Sequence, residues 1–176
     1  MYNAVIIPTA IEARHIDKLN RTAIADTNLP NGSAITIAYT DKFDVFKATP
    51  ATAETPATDV WMAMSPEVMK VIVGQIYAGE DPRYFTNVAN KPFDAVKLMP
   101  HDVIQVSKDF FADKKDPGTI KGATVVELGA EGWEAKVAPT ESYKGMSFKI
   151  GMKFPIAIGS GMIGDEEYPA YIIEVI

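Results

Sequence analysis

The chain has no cysteine among its 176 residues, and this absence removes several classes of chemistry at once. Disulfide scaffolds, thiolate zinc sites, iron–sulfur centres and cysteine nucleophiles all need a residue that is missing. Histidine is almost as scarce, because only His15 and His101 are present. The lack of disulfides fits assembly in a reducing cytoplasm.

Basic clusters and long apolar runs are also missing. Residues 1–8 have no basic flank and too short an apolar run for a signal peptide, so none is expected. No window approaches the roughly 18 uninterrupted apolar residues of a membrane span, so no membrane contact is expected either. The formal net charge is −6, from 17 basic and 23 acidic residues. An acidic chain gains little from a phosphate backbone, so nucleic-acid binding is not expected.

Short β-type runs fill most of the chain from Asn31 onward, and Gly, Pro, Asn and Asp separate them. Residues 33–39 and 43–48 alternate in polarity, and residues 124–128 and 133–137 flank a four-residue loop, which predicts a hairpin. The length fits one domain or two small subdomains. We therefore predict a mainly β fold, a sandwich or barrel of short antiparallel strands with at most one or two short helices.

Turn signals and further runs complete this prediction. Asn31-Gly32 supplies positive φ in the turn 29–32. Residues 49–58, 78–82 and 99–102 are expected as loops or turns. Residues 65–67 are expected as a helix start, although the β-branched run 68–73 is also compatible with a strand. Strands are expected at 59–64, 84–88, 95–98, 103–106, twice within 146–158, and at 171–176, where the terminal strand should be tied into a sheet.

Residues 1–28 differ from the rest and are predicted to form an N-terminal arm beside a β-rich body at 29–176. A short strand at 4–7 would stop at Pro8. Thr9 and Glu12 could form a capping box for a helix over residues 10–25, and an extended arm is the alternative. The segment has few large apolar groups, so it should pack on the body or on a partner chain. The polar residues 112–120 mark a possible subdomain boundary within the body.

One glycine motif and one acidic run could indicate binding sites, for a dinucleotide and for calcium. Residues 159–164, Gly-Ser-Gly-Met-Ile-Gly, match the dinucleotide fingerprint, but only twelve residues follow and no βαβ unit can form. A glycine-rich turn is therefore predicted. Asp165, Glu166 and Glu167 are consecutive and lack the alternating spacing of a calcium loop, which favours a solvated acidic turn.

The histidines do not complete a recognisable site. His101, Asp102 and Ser107 suggest a triad, yet neighbouring residues in a strand point to opposite faces and no nucleophile elbow accompanies them. His101 is therefore predicted on a surface turn, and His15 as a contact residue. No catalytic residue, cofactor or metal ligand is predicted.

Two possibilities stay open because they depend on tertiary structure. Paired acids for glycoside hydrolysis are assembled in space and leave no sequence motif. Aromatic side chains could line a sugar site, although two tryptophans in a chain of this size more often fill a core or an interface; the candidates are Trp61, Phe110, Phe111, Trp133 and Tyr143. Trp133 is predicted in the core, with Ala135 and Val137 on the same face of its strand.

The order of several segments supplies the clearest indication of a role. They are the turn and strand 29–36, the strand Phe43-Asp44-Val45-Phe46-Lys47-Ala48-Thr49-Pro50, the run 59–67 around Trp61, the pair 85–93 and 98–106, and the closing Tyr171-Ile172-Ile173-Glu174-Val175-Ile176. This order resembles small structural proteins of tailed bacteriophages, of the kind found as head decoration (cementing) proteins. The resemblance implies a β-rich body on the capsid lattice, contacts made partly by an arm, and no catalytic residues.

The expected function is therefore that of a non-enzymatic virion protein. Its partners would be the major capsid protein or other virion subunits, with a homo-oligomer expected. It would be located in the virion after assembly in the host cytoplasm. The alternatives are another virion component such as a tail or neck protein, a ligand-binding β-module, for example for glycans, and an enzyme on a β-scaffold.

Overall fold

The computed structural model describes residues 3–41, 44–65, 71–72, 75–76, 83, 85–112, 117–158 and 166–176. These residues form a mainly β protein, as the sequence predicts. The strands are β1 Ile6–Ala10, β2 Asn20–Ile24, β3 Ala34–Tyr39, β4 Val45–Pro50, β5 Trp61–Ala63, β6 Val71–Ile72, β7 Gln75–Ile76, β8 Pro92–Val96, β9 Val103–Ser107, β10 Val125–Leu128, β11 Trp133–Lys136, β12 Ser147–Lys153, β13 Ile156–Ile158, β14 Glu166–Tyr168 and β15 Ala170–Val175.

Helical structure within these ranges is limited to short 3-10 turns, at Glu12–Arg14, Asp17–Leu19, Ala57–Asp59, Lys108–Phe110 and Pro117–Thr119. None of the helices in the described part of the chain is long and apolar enough to cross a membrane.

The larger sheet has six strands in the order β1-β9-β15-β12-β10-β11, and all neighbours are antiparallel. The C-terminal strand β15 lies in its interior, between β9 and β12, which confirms that the chain end is tied into a sheet. The predicted hairpin is β10 and β11, with Leu128 paired to Trp133 across the four-residue loop 129–132.

The second unit is a closed barrel in the order β2-β4-β3-β5-β8. The pair β2–β4 is parallel, unlike the other barrel pairs, so the expectation of purely antiparallel strands is wrong at this one place. Parallel pairing is possible because β3 separates β2 from β4 in sequence and pairs antiparallel with β4. Two further hairpins, β6–β7 and β13–β14, lie outside these sheets.

The N-terminal segment is built into both units, which corrects the prediction of an arm over residues 1–28. β1 pairs with β9 in the sheet, and β2 pairs with β4 and β8 in the barrel. The predicted helix over residues 10–25 is also wrong, because two 3-10 turns and β2 occupy this range. The segment can be part of the folded body because its small side chains fit into tightly packed positions. Ala13 and Ala23 are 2% and 0% exposed.

Two larger hydrophobic cores among the described residues follow from this arrangement, and a small third cluster joins Val5, Ile156, Tyr168 and Ala170. One lies between the sheet and the outside of the barrel and includes Met62, Ile104, Phe110, Trp133 and Phe148. The other fills the barrel interior and is rich in alanine. Alternation along β5 sends successive side chains to different cores, so Met62 packs in the first and Ala63 in the second.

Several local predictions are confirmed and one is wrong. Gly32 has φ +85°, as expected for the Asn-Gly turn. Trp133 is buried at 3% exposure. Val137, predicted on the same face, is 57% exposed, because β11 ends at Lys136 and the next residue leaves the sheet.

Other predictions concern residues outside the described ranges. They are the helix start at 66–67, the residues 68–70 and 73, the loop 78–82, the strand start at Tyr84, the polar boundary at 113–116, the glycine-rich turn at 159–164 and Asp165 of the acidic run. The acidic turn predicted at 165–167 is wrong at Glu166 and Glu167, because pairing with β13 makes them part of strand β14.

Candidate functional site

His101 and Asp102 face different surroundings, as the sequence predicts. His101 lies on an exposed turn with φ +72°, and its Nδ1 is 3.0 Å from Oε1 of Glu174. Asp102 is 3% exposed, and its carboxylate accepts hydrogen bonds from the backbone N–H of Met99 at 2.8 Å and of Glu12 at 2.9 Å. Asp102 therefore holds a turn and a 3-10 turn together and does not orient the histidine.

The other residues considered for a triad or a metal site do not form one either. Ser107 is buried, and its Oγ accepts a hydrogen bond from the backbone N–H of Val5 at 3.0 Å. His15 is exposed at the end of the turn Glu12–Arg14. The described residues contain no group of three or more His, Asp or Glu side chains placed to hold a metal ion.

Glu127 is the most deeply buried acid among the described residues, at 0% exposure. Its carboxylate accepts from the Thr140 N–H at 2.7 Å, the Thr140 hydroxyl at 2.6 Å and the Lys136 ammonium at 2.9 Å. Burial alone would raise the pKa of Glu127, but these hydrogen bonds and the charge of Lys136 lower it below its usual value. The group is ionised at neutral pH and fixes the loop after β11 onto the sheet.

A second buried polar cluster surrounds Tyr168. Its hydroxyl donates to Oδ2 of Asp109 at 2.7 Å, and burial together with Asp109 raises the pKa of Tyr168. Arg83 and Lys108 lie over its ring at 4.8 and 4.7 Å from the centroid. This cluster joins the segment before β8 to the 3-10 turn Lys108–Phe110 and to the strand β14, and the neutral phenol is suited to a structural hydrogen bond.

A cleft of about 720 Å³ lies between barrel and sheet, bordered by the turn 29–32, residues 109–112 and the loop 129–132. Two of its polar side chains, Trp133 and Asn31, make hydrogen bonds within the fold. Trp133 Nε1 donates to the Gly32 carbonyl at 2.8 Å, and Asn31 exchanges hydrogen bonds with the backbone of Ser65 and the amide of Asn87. The cleft walls are therefore fixed by internal contacts.

Four of the five aromatic candidates for a sugar site are used by the core. Trp133 stacks on Phe110 with ring centroids 5.7 Å apart, and Phe110 packs edge-to-face on Phe111. The Tyr143 hydroxyl donates to the Met146 carbonyl at 2.8 Å. The remaining candidate, Trp61, is only partly buried and lines a separate groove beside the barrel.

The outer face of the six-stranded sheet carries an exposed apolar row. Ile7 of β1 pairs with Gln105 of β9, which pairs with Ile172 of β15, so these side chains share one face. The row ends where β12 bulges opposite Ile172, at Met152, which is 63% exposed. The Gln105 amide donates to the backbone carbonyl of Phe154 at 2.8 Å, which places the backbone of this exposed residue beside the row. We call Ile7, Ile172, Met152 and Phe154 the outer row.

Sequence reasoning missed the outer row and Glu127, and only Glu127 leaves a signal in the sequence. Glu127 is an acid inside the otherwise apolar run Val125-Val126-Glu127-Leu128, which indicates a paired buried charge. The outer row depends on strand pairing across β1, β9, β15 and β12, which no local pattern reveals.

Comparisons with protein-family models, with curated proteins and with solved structures found no match to this chain.

Proposed function

We propose that this chain is a non-enzymatic structural protein of a phage particle that binds and stabilises the capsid lattice as a decoration protein. The observation that carries the proposal is the outer row, which exposes large apolar side chains next to β1, an outer strand of the six-stranded sheet. The order of the sequence segments, which resembles head decoration proteins, supports the same role.

The outer row has the character of a contact surface. Met152 and Phe154 are 63% and 54% exposed, and Ile7 is 40% exposed. Adjacent exposed apolar side chains rimmed by polar ones mark protein contacts more often than scattered single residues do. Lys149 and Glu174, paired on the same face, provide such a polar rim.

The sheet edge adds a second means of binding. Among the described residues β1 is an outer strand of the six-stranded sheet and pairs with β9, and outer strands are the places where a partner can add a strand. Many identical weak contacts on a lattice add up through multivalency. The proposed partners are therefore the major capsid protein and neighbouring copies of this chain.

The use of the buried polar groups supports a non-enzymatic role. Glu127, Asp102 and Ser107 each stabilise a neighbouring backbone segment or loop. General acid–base chemistry needs a titratable group directed at substrate, whereas these groups are directed at the fold.

The test is cosedimentation of the purified chain with heads assembled from the major capsid protein of the same phage. The chain should bind the heads and raise their resistance to heat. Met152→Lys combined with Phe154→Lys should weaken binding at least about tenfold, or ~1.4 kcal/mol. The control is Val88→Lys, which changes a residue of similar exposure (54%) near the barrel.

Equal binding by the outer-row double variant and the Val88 control would contradict this surface as the contact. Failure of the unaltered chain to bind any head would contradict the decoration role itself. Sedimentation of the free chain at several concentrations tests the expected homo-oligomer separately.

A further inference from the structure

A groove of about 530 Å³ lies between β3 and the loop that joins β4 to β5. Its walls combine one aromatic ring with hydroxyl and carboxylate groups, contributed by Trp61, Thr52, Thr55, Thr58, Glu54 and Asp59. This mixture differs from the outer row, which is apolar, and from the core, which is closed. The groove is therefore a second surface with its own chemistry.

Trp61 forms the aromatic part of the groove, which Ile37 and Pro56 also line. It begins β5, is paired with Ile35 of β3, and packs against the barrel core while remaining partly exposed. Lys97 lies near the indole, with its Nζ 5.7 Å from the ring centroid. The position of the ring is thus set by the strand pairing and by its contact with the core.

Lys97 also fixes the polar wall beside the ring. Its ammonium donates to the carbonyls of Ala57, Thr58 and Val60, at 3.3 Å for Ala57 and 2.9 Å for Val60. These carbonyls belong to the turn Ala57–Asp59 and the residue after it. The contacts therefore hold the segment that carries Asp59 close to Trp61.

The opposite part of the loop is shaped by threonines. The backbone N–H of Thr52 donates to Thr55 Oγ1 at 3.0 Å, and the Thr55 N–H donates to the Thr52 carbonyl at 3.0 Å. Between them Glu54 is exposed, and its carboxylate has no hydrogen-bond or ion-pair partner among the described residues. Glu54 is therefore available to accept hydrogen bonds from a ligand.

We propose that this groove binds a neutral or amine-bearing glycan. A sugar ring offers an apolar C–H face that suits an indole, and its hydroxyls suit carboxylates and threonines that fix orientation. Glu54 and Asp59 line the same groove, and Lys97 already donates to three carbonyls, so an anionic sugar is disfavoured by repulsion. The net charge of −6 also disfavours the binding of an anionic sugar.

The inference goes beyond the capsid role, because none of the residues involved belongs to the outer row. A decoration protein that sits on the lattice through one face would present the glycan groove through another. The glycan proposal and the capsid proposal can therefore be contradicted independently of each other.

The experiment titrates the full chain with cello-, malto- and chito-oligosaccharides, with chitosan oligomers, and with oligogalacturonate as the anionic member. Calorimetry measures binding, and tryptophan fluorescence reports on Trp61, since Trp133 is buried. At least one neutral or amine-bearing oligosaccharide should bind with a Kd near or below about 1 mM, and oligogalacturonate should bind at least about tenfold more weakly.

Trp61→Ala should reduce the affinity for that oligosaccharide at least about tenfold. The matched control is Tyr39→Ala, since Tyr39 is an exposed aromatic residue (89%) outside the groove. If Trp61→Ala does not fold, the double variant Glu54→Gln with Asp59→Asn, which changes two exposed side chains, gives the same test.

Three outcomes would overturn the proposal. The first is no binding by any neutral or amine-bearing member, and the second is tighter binding of oligogalacturonate. The third is binding that survives both Trp61→Ala and the acid double variant. Release of shorter sugars during the titration would overturn simple binding and would also contradict the non-enzymatic function, whereas cosedimentation with heads is unaffected by any of these results.

Discussion

The barrel and the sheet bury side chains of very different size. The barrel interior contains five alanines, Ala23, Ala25, Ala48, Ala63 and Ala95, together with Leu29, Ile35, Phe46 and Phe93. The core between sheet and barrel contains Phe110, Phe111, Trp133, Phe148 and Tyr171. A five-stranded barrel is narrower than the eight-stranded barrels whose interiors side chains just fill, so small residues are needed inside it.

The difference indicates how the two units are joined. Large side chains lie where barrel and sheet meet, and Trp133 of the sheet donates to the carbonyl of Gly32 at the barrel entrance. Gly32 has φ +85°, and a Cβ there would lie 2.7 Å from Cδ1 of Ile6 and 2.9 Å from Phe110. Small residues therefore fill the barrel interior, and large residues pack between the barrel and the sheet.

Removing the largest connecting side chain should have the largest effect. Trp133→Ala should lower the free energy of unfolding by about 3–5 kcal/mol, because it leaves a cavity among Phe110 and Phe148. Urea unfolding followed by circular dichroism measures this loss. Trp61→Ala is the matched control and should cost less, since Trp61 is only partly buried. Equal losses would mean that Trp133 does not join the two units.

Removing the buried charge of Glu127 should have the second-largest effect on the free energy of unfolding. Glu127→Gln should lower the free energy of unfolding at pH 7 by about 1.5–3 kcal/mol, since it weakens charge-assisted hydrogen bonds to Thr140 and Lys136. The control is Glu134→Gln, because that carboxylate is 39% exposed and 3.9 Å from the same ammonium. A variant as stable as the control would show that the loop is held by other contacts.

The same carboxylate predicts a pH dependence. The pKa of Glu127 is lower in the folded state than in the unfolded state, where it is about 4.3. Folding then favours the ionised form, so its stabilisation is complete above the unfolded pKa and is lost as pH falls through the folded pKa. Unfolding free energies measured from pH 7 down to about pH 3 should fall less steeply in Glu127→Gln than in the unaltered chain. Parallel curves would contradict the assignment.

Adding volume inside the barrel tests the other half of the comparison. Ala95 is 0% exposed within the alanine-rich core, so Ala95→Leu should cost about 1–3 kcal/mol through overpacking. Ala130→Leu, on the exposed loop between β10 and β11, is the control. Thermal unfolding of both variants measures the difference. A stable Ala95→Leu would show that the barrel has spare room and that its alanines are not required by its width.

The smallest effect should come from an exposed ion pair of the barrel. Lys47 and Asp26 lie 2.8 Å apart near the parallel strands β2 and β4, with side chains 53% and 71% exposed. Lys47→Ala should change the free energy of unfolding by less than about 1 kcal/mol, and added salt should remove the difference. A larger loss that salt leaves unchanged would mean that this pair, and not the alanine core, stabilises the parallel pairing.

The local patterns of the chain were enough to predict its fold class, its hairpin and its main turns. Alternation marked β3, β4 and β11, and the Asn-Gly dipeptide marked the positive φ at Gly32. These features depend on residues close in sequence, whose side-chain period and backbone preferences are local properties. The burial of Trp133 followed from the same alternation.

Only the tertiary structure decided how distant segments meet. Residues 6–10 and 20–24 belong to the segment predicted as an arm that packs on the body or on a partner chain, yet long-range pairing places them in the sheet and the barrel. The same pairing makes β2 and β4 parallel, assembles the outer row and leaves Trp61 at a groove while Trp133 is buried. The physical reason is that hydrogen bonds between strands join residues far apart in sequence, and a narrow barrel accepts alanines that local composition alone assigns to no core.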